Sequence, residues 1–454
     1  MMSIRAISPI DGRYAKKTMM LNDYFSEYAL MKYRVTVEVV WLGHLSQEVD
    51  LADIRRLSDD EMQQLQRIAT DFDDEAAGRI KAIESRTNHD VKAVEYYIKE
   101  LLADTSLADL SEFVHFACTS EDINNLAYAM MLRDGLMDVW LQEAHELVGT
   151  VAEQAELLRD TPILARTHGQ AATPTTMGKE LAVYVYRWQR QLRQLENQDY
   201  LGKFSGAVGA FNAHLAAYPD ADWVDIARRF VENFGLVFNP LTTQIESHDY
   251  LAETFHIVSR FNQILLDFCQ DMWAYISMGY FKQRTVAGEV GSSTMPHKVN
   301  PIDFENAEAN IGLSNSVLNH LAEKLMVSRL QRDLSDSSAL RNIGVGIAHS
   351  HIALQSALKG VSKVDINQEA INADLDTAWA VLAEPIQTVL RKAQYPNPYE
   401  KLKELTRGVD ITQADIHAFI ETLPIDAADK QRLQAMTPAS YIGLASDLVD
   451  FIGE

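Results

Sequence analysis

Between Gly288 and Pro301 the chain reads Gly-Glu-Val-Gly-Ser-Ser-Thr-Met-Pro-His-Lys-Val-Asn-Pro, the segment richest in groups that could do chemistry. Its glycines, the hydroxyls of Ser292, Ser293 and Thr294, the cation of Lys298 and the amide of Asn300 offer donors to an anion or an enolate-like intermediate. The same composition also suits a surface hinge. A second segment, Ala165 to Pro174, sets His168 among Thr167, Gln170 and Thr173, just ahead of a helical pattern at Met177. A histidine there can serve as a proton donor or simply belong to the turn that caps the helix. In a third, His115-Phe-Ala-Cys-Thr-Ser-Glu-Asp-Ile-Asn-Asn125, Thr119 and Ser120 precede Glu121 and Asp122. Those are polar groups for a ligand, and equally an N-cap with acids in the first helical turn. Arg86-Thr-Asn-His-Asp90 adds His89 and Asp90, while His349 and His351 have no third ligand close in sequence, so no metal is expected.

Loops of this kind need rigid supports, and the composition points to long helices. Glycine (21) and proline (12) together make about 7% of 454 residues, against a usual share of about 12%. From Met177 to Asn197, apolar residues at Leu181, Tyr184, Val185, Trp188, Leu192 and Leu195 follow helical spacing. From Leu251 the pattern repeats through Phe255, Val258, Leu265, Phe268, Met272 and Ile276, predicting a rod of roughly 40 Å that ends near Gln283. Regularly spaced Gly-rich βα turns are absent, so the fold class expected is all-α, a bundle of long helices. Three consecutive segments suggest themselves: 1–110 with polar helices such as Asp59 to Ala69, 111–365 with the long rods, and 366–454, entered through a polar connector at Lys363 to Asn367.

The formal net charge is −23, from 41 basic and 64 acidic side chains. A field of that sign argues against nucleic acid and anionic membranes as partners. The most apolar stretch, 256–281, carries Arg260, Asp267 and Asp271 and reads as a core helix rather than a membrane span. With two cysteines, Cys118 and Cys269, in no metal or disulfide array, and no apolar leader at the N-terminus, the expected compartment is the cytoplasm.

Thr119-Ser-Glu-Asp-Ile-Asn124, Thr167-His-Gly-Gln170 and Gly291-Ser-Ser-Thr-Met-Pro-His-Lys-Val-Asn-Pro301, in that order, resemble the three signature regions of the fumarase/aspartase superfamily. His297 between Met-Pro and Lys, the start Ser8-Pro-Ile-Asp-Gly-Arg-Tyr14 and Thr87-Asn-His-Asp-Val-Lys-Ala-Val-Glu95 are similar to its bacterial purine-pathway branch, over essentially the whole chain. One departure is Ala171, where many relatives have proline. The resemblance implies a cofactor-free C–N lyase that eliminates fumarate from adenylosuccinate, giving AMP, and from SAICAR, giving AICAR. Another superfamily activity, such as cleavage of argininosuccinate, or a helical scaffold without catalysis, is the alternative.

By the same resemblance Ser292 is the base, His168 the acid and Glu305 the acid's partner. Ser293, Lys298 and Asn300 bind the succinyl carboxylates. Arg13, Tyr14, His89, Asp90, Thr119, Ser120, Gln244, Arg332, Ser337 and Arg341 complete the substrate contacts. Taken without the resemblance, Arg332 and Arg341 read as solvated partners of Asp333 and Asp336. Residues so scattered are not expected to meet within one subunit, and the resemblance implies a homotetramer whose sites are shared between chains. A trianionic substrate in so acidic a chain further requires Arg13, Lys298, Arg332 and Arg341 to converge locally, because the global field is screened beyond about 10 Å.

Overall fold

The computed structural model describes residues 4–284, 295, 298–406 and 411–453. Helices dominate, and strands among the described residues occur only as four two-stranded pairs of two or three residues. The chain divides into two compact units interleaved in sequence: 1–144, 191–263 and 309–355 in the first, 145–190, 264–308 and 356–454 in the second. The long helices Leu141–Leu157, Met177–Glu196, Asp249–Ser277, Ile302–Leu325 and Ile343–Val361 each have residues in both. An all-α fold built on long rods is therefore what forms.

The longest rod ends earlier than its periodicity suggests. Gly279 takes a φ of +78°, its N–H bonds Ile276 O and the N–H of Tyr280 bonds Tyr275 O, the paired bonds of a Schellman cap. With the helix closed there, Phe281–Gln283 turns into a strand antiparallel to Val364–Ile366, so the expected polar connector is in part a strand. Val364 is buried and Asp365 exposed, the alternation a short strand needs.

In the first unit Trp41 packs on Phe204 and Phe230, with ring centroids 4.4 and 4.8 Å away. A buried polar chain fixes register among the long helices: Trp140 Nε1 donates to Ser350 Oγ (2.8 Å), Ser350 Oγ to Asn262 Oδ1 (2.6 Å), and Asn262 Nδ2 to Ser314 Oγ (3.0 Å). In the second unit Phe268 meets Trp188, Tyr184 and Phe304, and Gly360 leaves room for the Phe304 ring. The C-terminal segment adds a separate apolar cluster around Ile386, Leu390, Ile416, Ile420 and Leu433.

Candidate active site

Helix Ser120–Gly135 carries the first signature. Thr119 stands at its N-cap, and its N–H donates to the Asp122 carboxylate (2.8 Å). Asp122 is fully buried, 2.8 Å from the equally buried Lys203 Nζ, and also accepts the N–H groups of Ser205 (2.9 Å) and Gly206 (3.1 Å). A buried ion pair is tolerable when every remaining lone pair is used in this way. Asn125 completes the seam: its Oδ1 accepts the Lys203 N–H (2.8 Å) and its Nδ2 donates to Lys203 O (2.9 Å). The helix start is thus fastened to the 203–206 loop.

From that end runs one connected set of polar groups. Arg341 donates to Asp90 Oδ2 (3.0 Å), and Arg34 donates to the same oxygen (2.8 Å) and, through Nε, to Asn124 Oδ1 (2.9 Å). Asn124 Nδ2 donates to Glu121 Oε1 (2.8 Å), which also takes Arg332 Nη2 (2.8 Å), while Arg332 Nη1 reaches Gln244 Oε1 (3.1 Å). Four of the expected substrate residues, Asp90, Gln244, Arg332 and Arg341, are thereby joined. Burial works to raise the Asp90 pKa, but Arg34 and Arg341 outweigh it and hold the carboxylate below its usual range. At Glu121 burial wins over the attraction of Arg332, and its pKa rises. Arg332 is not solvated: its side chain is 14% exposed and its near partner is Glu121, with Asp336 farther off at 3.8 Å.

Next to this set, His89 caps helix Asp90–Leu102, its Nδ1 accepting the Lys92 N–H (3.1 Å). Ser120 opens the signature helix and Ser337 lies in helix Ser335–Leu340 between the two arginines. Arg13 and Tyr14 belong to the N-terminal turn of the same unit, and no bond joins Arg13 to the set among the described residues. Arg332 and Arg341 share a network in which carboxylates balance their charge.

In the second unit, Arg166–Thr167 and Gln170–Ala171 pair antiparallel, and His168 (φ +54°) and Gly169 (φ +74°) form the two-residue turn between them. Two positive φ values in succession make a tight primed turn, which puts His168 at an exposed tip. Glu305 sits in the first turn of Ile302–Leu325, accepting from Trp273 Nε1 (3.2 Å); among the described residues nothing bonds it to His168. Lys298 is exposed and Asn300 half-buried. Ser292, Ser293 and His297 lie outside the described residues. His349 Nδ1 pairs with Asn310 Oδ1 (2.9 Å) and His351 Nε2 with Gln355 Nε2 (2.9 Å), so the two face different neighbours.

The sequence reading missed Arg34, Asn124, Lys203 and the buried state of Glu121 and Asp122. The N-cap reading of 119–122 is correct and incomplete. Two adjacent acids followed by Asn124-Asn125 inside an otherwise apolar helix was the available signal. It also missed the buried pair His115–Glu38, 2.6 Å apart, with His115 at φ +60°.

Residues 12–315 match the Lyase family, and residues 328–442 match the Adenylosuccinate lyase C-terminal family. The adenylosuccinate lyase of Vibrio cholerae is 53% identical over 450 residues, 99% of either chain, and that of Escherichia coli K12 is 54% identical over 99% of this chain and 98% of its own. In fold, the chain is similar to a fumarate lyase from Mesorhizobium (TM-score 0.76, 18% identity, 96% of this chain and 97% of that one). It is likewise similar to the 3-carboxy-cis,cis-muconate lactonizing enzyme of Pseudomonas putida (TM-score 0.75, 20% identity, 96% of each chain). With relatives this near over its full length, the chain belongs to the adenylosuccinate lyase family of C–N lyases.

Proposed function

We propose that the protein cleaves adenylosuccinate to AMP and fumarate, and SAICAR to AICAR and fumarate, in purine biosynthesis. The observation that carries this reading is the single connected network holding Asp90, Gln244, Arg332 and Arg341 beside the first signature helix. Two guanidiniums held this way, Arg332 by buried Glu121 and Arg341 by half-buried Asp90, suit a substrate with a phosphate and carboxylates. Ser292 takes the proton from the succinyl carbon next to a carboxylate, and the electron pair spreads into that carboxylate. Ser293, Lys298 and Asn300 stabilise the resulting charge. The C–N bond then breaks and His168, oriented by Glu305, delivers a proton to the departing nitrogen. Arg13, Tyr14, His89, Thr119, Ser120 and Ser337 hold the nucleotide part.

The exposed tip position of His168 supports a homotetramer in which one chain's hairpin enters a site built by others. Within the same reading the chain is organised as 1–110, 111–365 and 366–454, the last supported by its separate apolar cluster, and works in the cytoplasm on small molecules. No described helix is long and apolar enough to cross a membrane. Purified protein given adenylosuccinate and no cofactor should release AMP and fumarate in equal amounts. Inertness toward adenylosuccinate and SAICAR, with cleavage of argininosuccinate or aspartate instead, would overturn the assignment.

A further inference from the structure

The His168 hairpin has little of its own to hold it. Its outer ladder is Pro162 with Thr176 and Ile163 with Thr175, closed by Met177 N–H to Thr161 O (2.9 Å). Beyond Ile163 and Leu164, residues 166–171 are exposed and bury no apolar face. Two-stranded ribbons of this size are marginal in water. Yet a group that must hand a proton to one nitrogen has to be held to within a fraction of an ångström.

Two carboxylates of the C-terminal segment grip this ribbon, one on each side of the His168 tip. Asp374, on helix Gln368–Asp376, receives Arg166 Nη2 (2.5 Å) through the same oxygen that takes the Tyr280 hydroxyl (2.5 Å). Glu384, in the first turn of helix Ala383–Lys392, accepts the Thr173 hydroxyl and, on the same oxygen, the Tyr441 hydroxyl (3.1 Å). Arg166 lies two residues before His168 and Thr173 five residues after it, so the grips straddle the tip. Each carboxylate is itself fixed by a tyrosine, and burial together with Glu384 pushes the Tyr441 pKa up to about 12, so its hydroxyl stays a donor. Exposed ion pairs and hydrogen bonds add little to stability, which leaves orientation as what such contacts can supply.

We infer that Asp374 and Glu384 are positioning residues that set the His168 tip for proton delivery; this rests on the reading of His168 as the acid. The test is steady-state kinetics with adenylosuccinate on D374N, E384Q, T173A and H168A, alongside thermal midpoint and assembly state. D374N, E384Q and T173A should each lower kcat about 10-fold to 100-fold, the scale of a misplacement near 1 Å, with KM within about threefold and an unchanged midpoint. E384D should recover part of kcat. T173A with E384Q should do no more harm than E384Q alone, since the Thr173 contact runs through Glu384. Thr173 is exposed, so T173A tests the grip even where a carboxylate variant folds poorly. If H168A is inactive while T173A and D374N keep wild-type kcat, the positioning role is overturned and the acid assignment stands. If H168A turns over at the wild-type rate, the acid assignment fails and the inference with it.

Discussion

A serine hydroxyl removes a carbon-bound proton only where donors stabilise its alkoxide and water is excluded, so the proposed base and acid should be among the least replaceable groups. Ser292→Ala and His168→Ala should each cut kcat by about 10²-fold to 10⁴-fold while substrate still binds; a rate within tenfold of wild type in either would remove its role. A second residue-scale outcome concerns His115, only 17% exposed against the buried Glu38. Burial lowers its pKa, but Glu38 outweighs burial and the net shift is upward. A histidine whose pKa rises on folding stabilises fully below its unfolded value, about 6.5, and that contribution fades as pH climbs through the folded value. His115→Asn, which tolerates the positive φ, should therefore lower the denaturation midpoint more near pH 6 than near pH 9. Equal losses at both would show that the pair is not ionic. The candidate side chains were readable as clusters in sequence; the groups that hold them were not, because Arg34 meets Asp90 and Asn124 across 56 and 90 positions.

Among elements, the rods were legible from periodicity, while their ends were set by single residues and tertiary contacts. Gly279 ends the longest rod two residues past Ser277, and the residues beyond it are claimed by a strand partner more than eighty positions away. The hairpin was the least visible element, since a segment of Thr, His, Gly and Gln carries no alternating pattern. Its return into Met177–Glu196 passes Gly178, where an added Cβ would lie 2.3 Å from Ala155 O and 2.5 Å from the Arg159 backbone. Backbone atoms cannot turn aside as a side chain can. Gly178→Ala should cost about 1–3 kcal/mol and lower kcat by tilting the hairpin, as read by thermal denaturation and turnover. A variant with unchanged midpoint and rate would show that the two segments part freely.

For the whole molecule, the charge of −23 says little about the proposed anionic substrate, because the nearby charges are set locally: Arg332 faces Glu121, and Arg341 shares Asp90 with Arg34. What no pattern in one sequence could display is which chain supplies which group. The proposed acid stands on an exposed tip, and nothing among the described residues bonds its ring. If acid and base of one site come from different subunits, Ser292→Ala and His168→Ala chains are each inactive for opposite reasons, and random mixed tetramers contain intact sites. The decisive measurement is adenylosuccinate cleavage after the two inactive variants are dissociated together and reassembled. Recovery should approach about a quarter of wild-type activity, the random share of sites drawing both groups from intact sources. Mixed tetramers verified by mass spectrometry that stay inactive would contradict it.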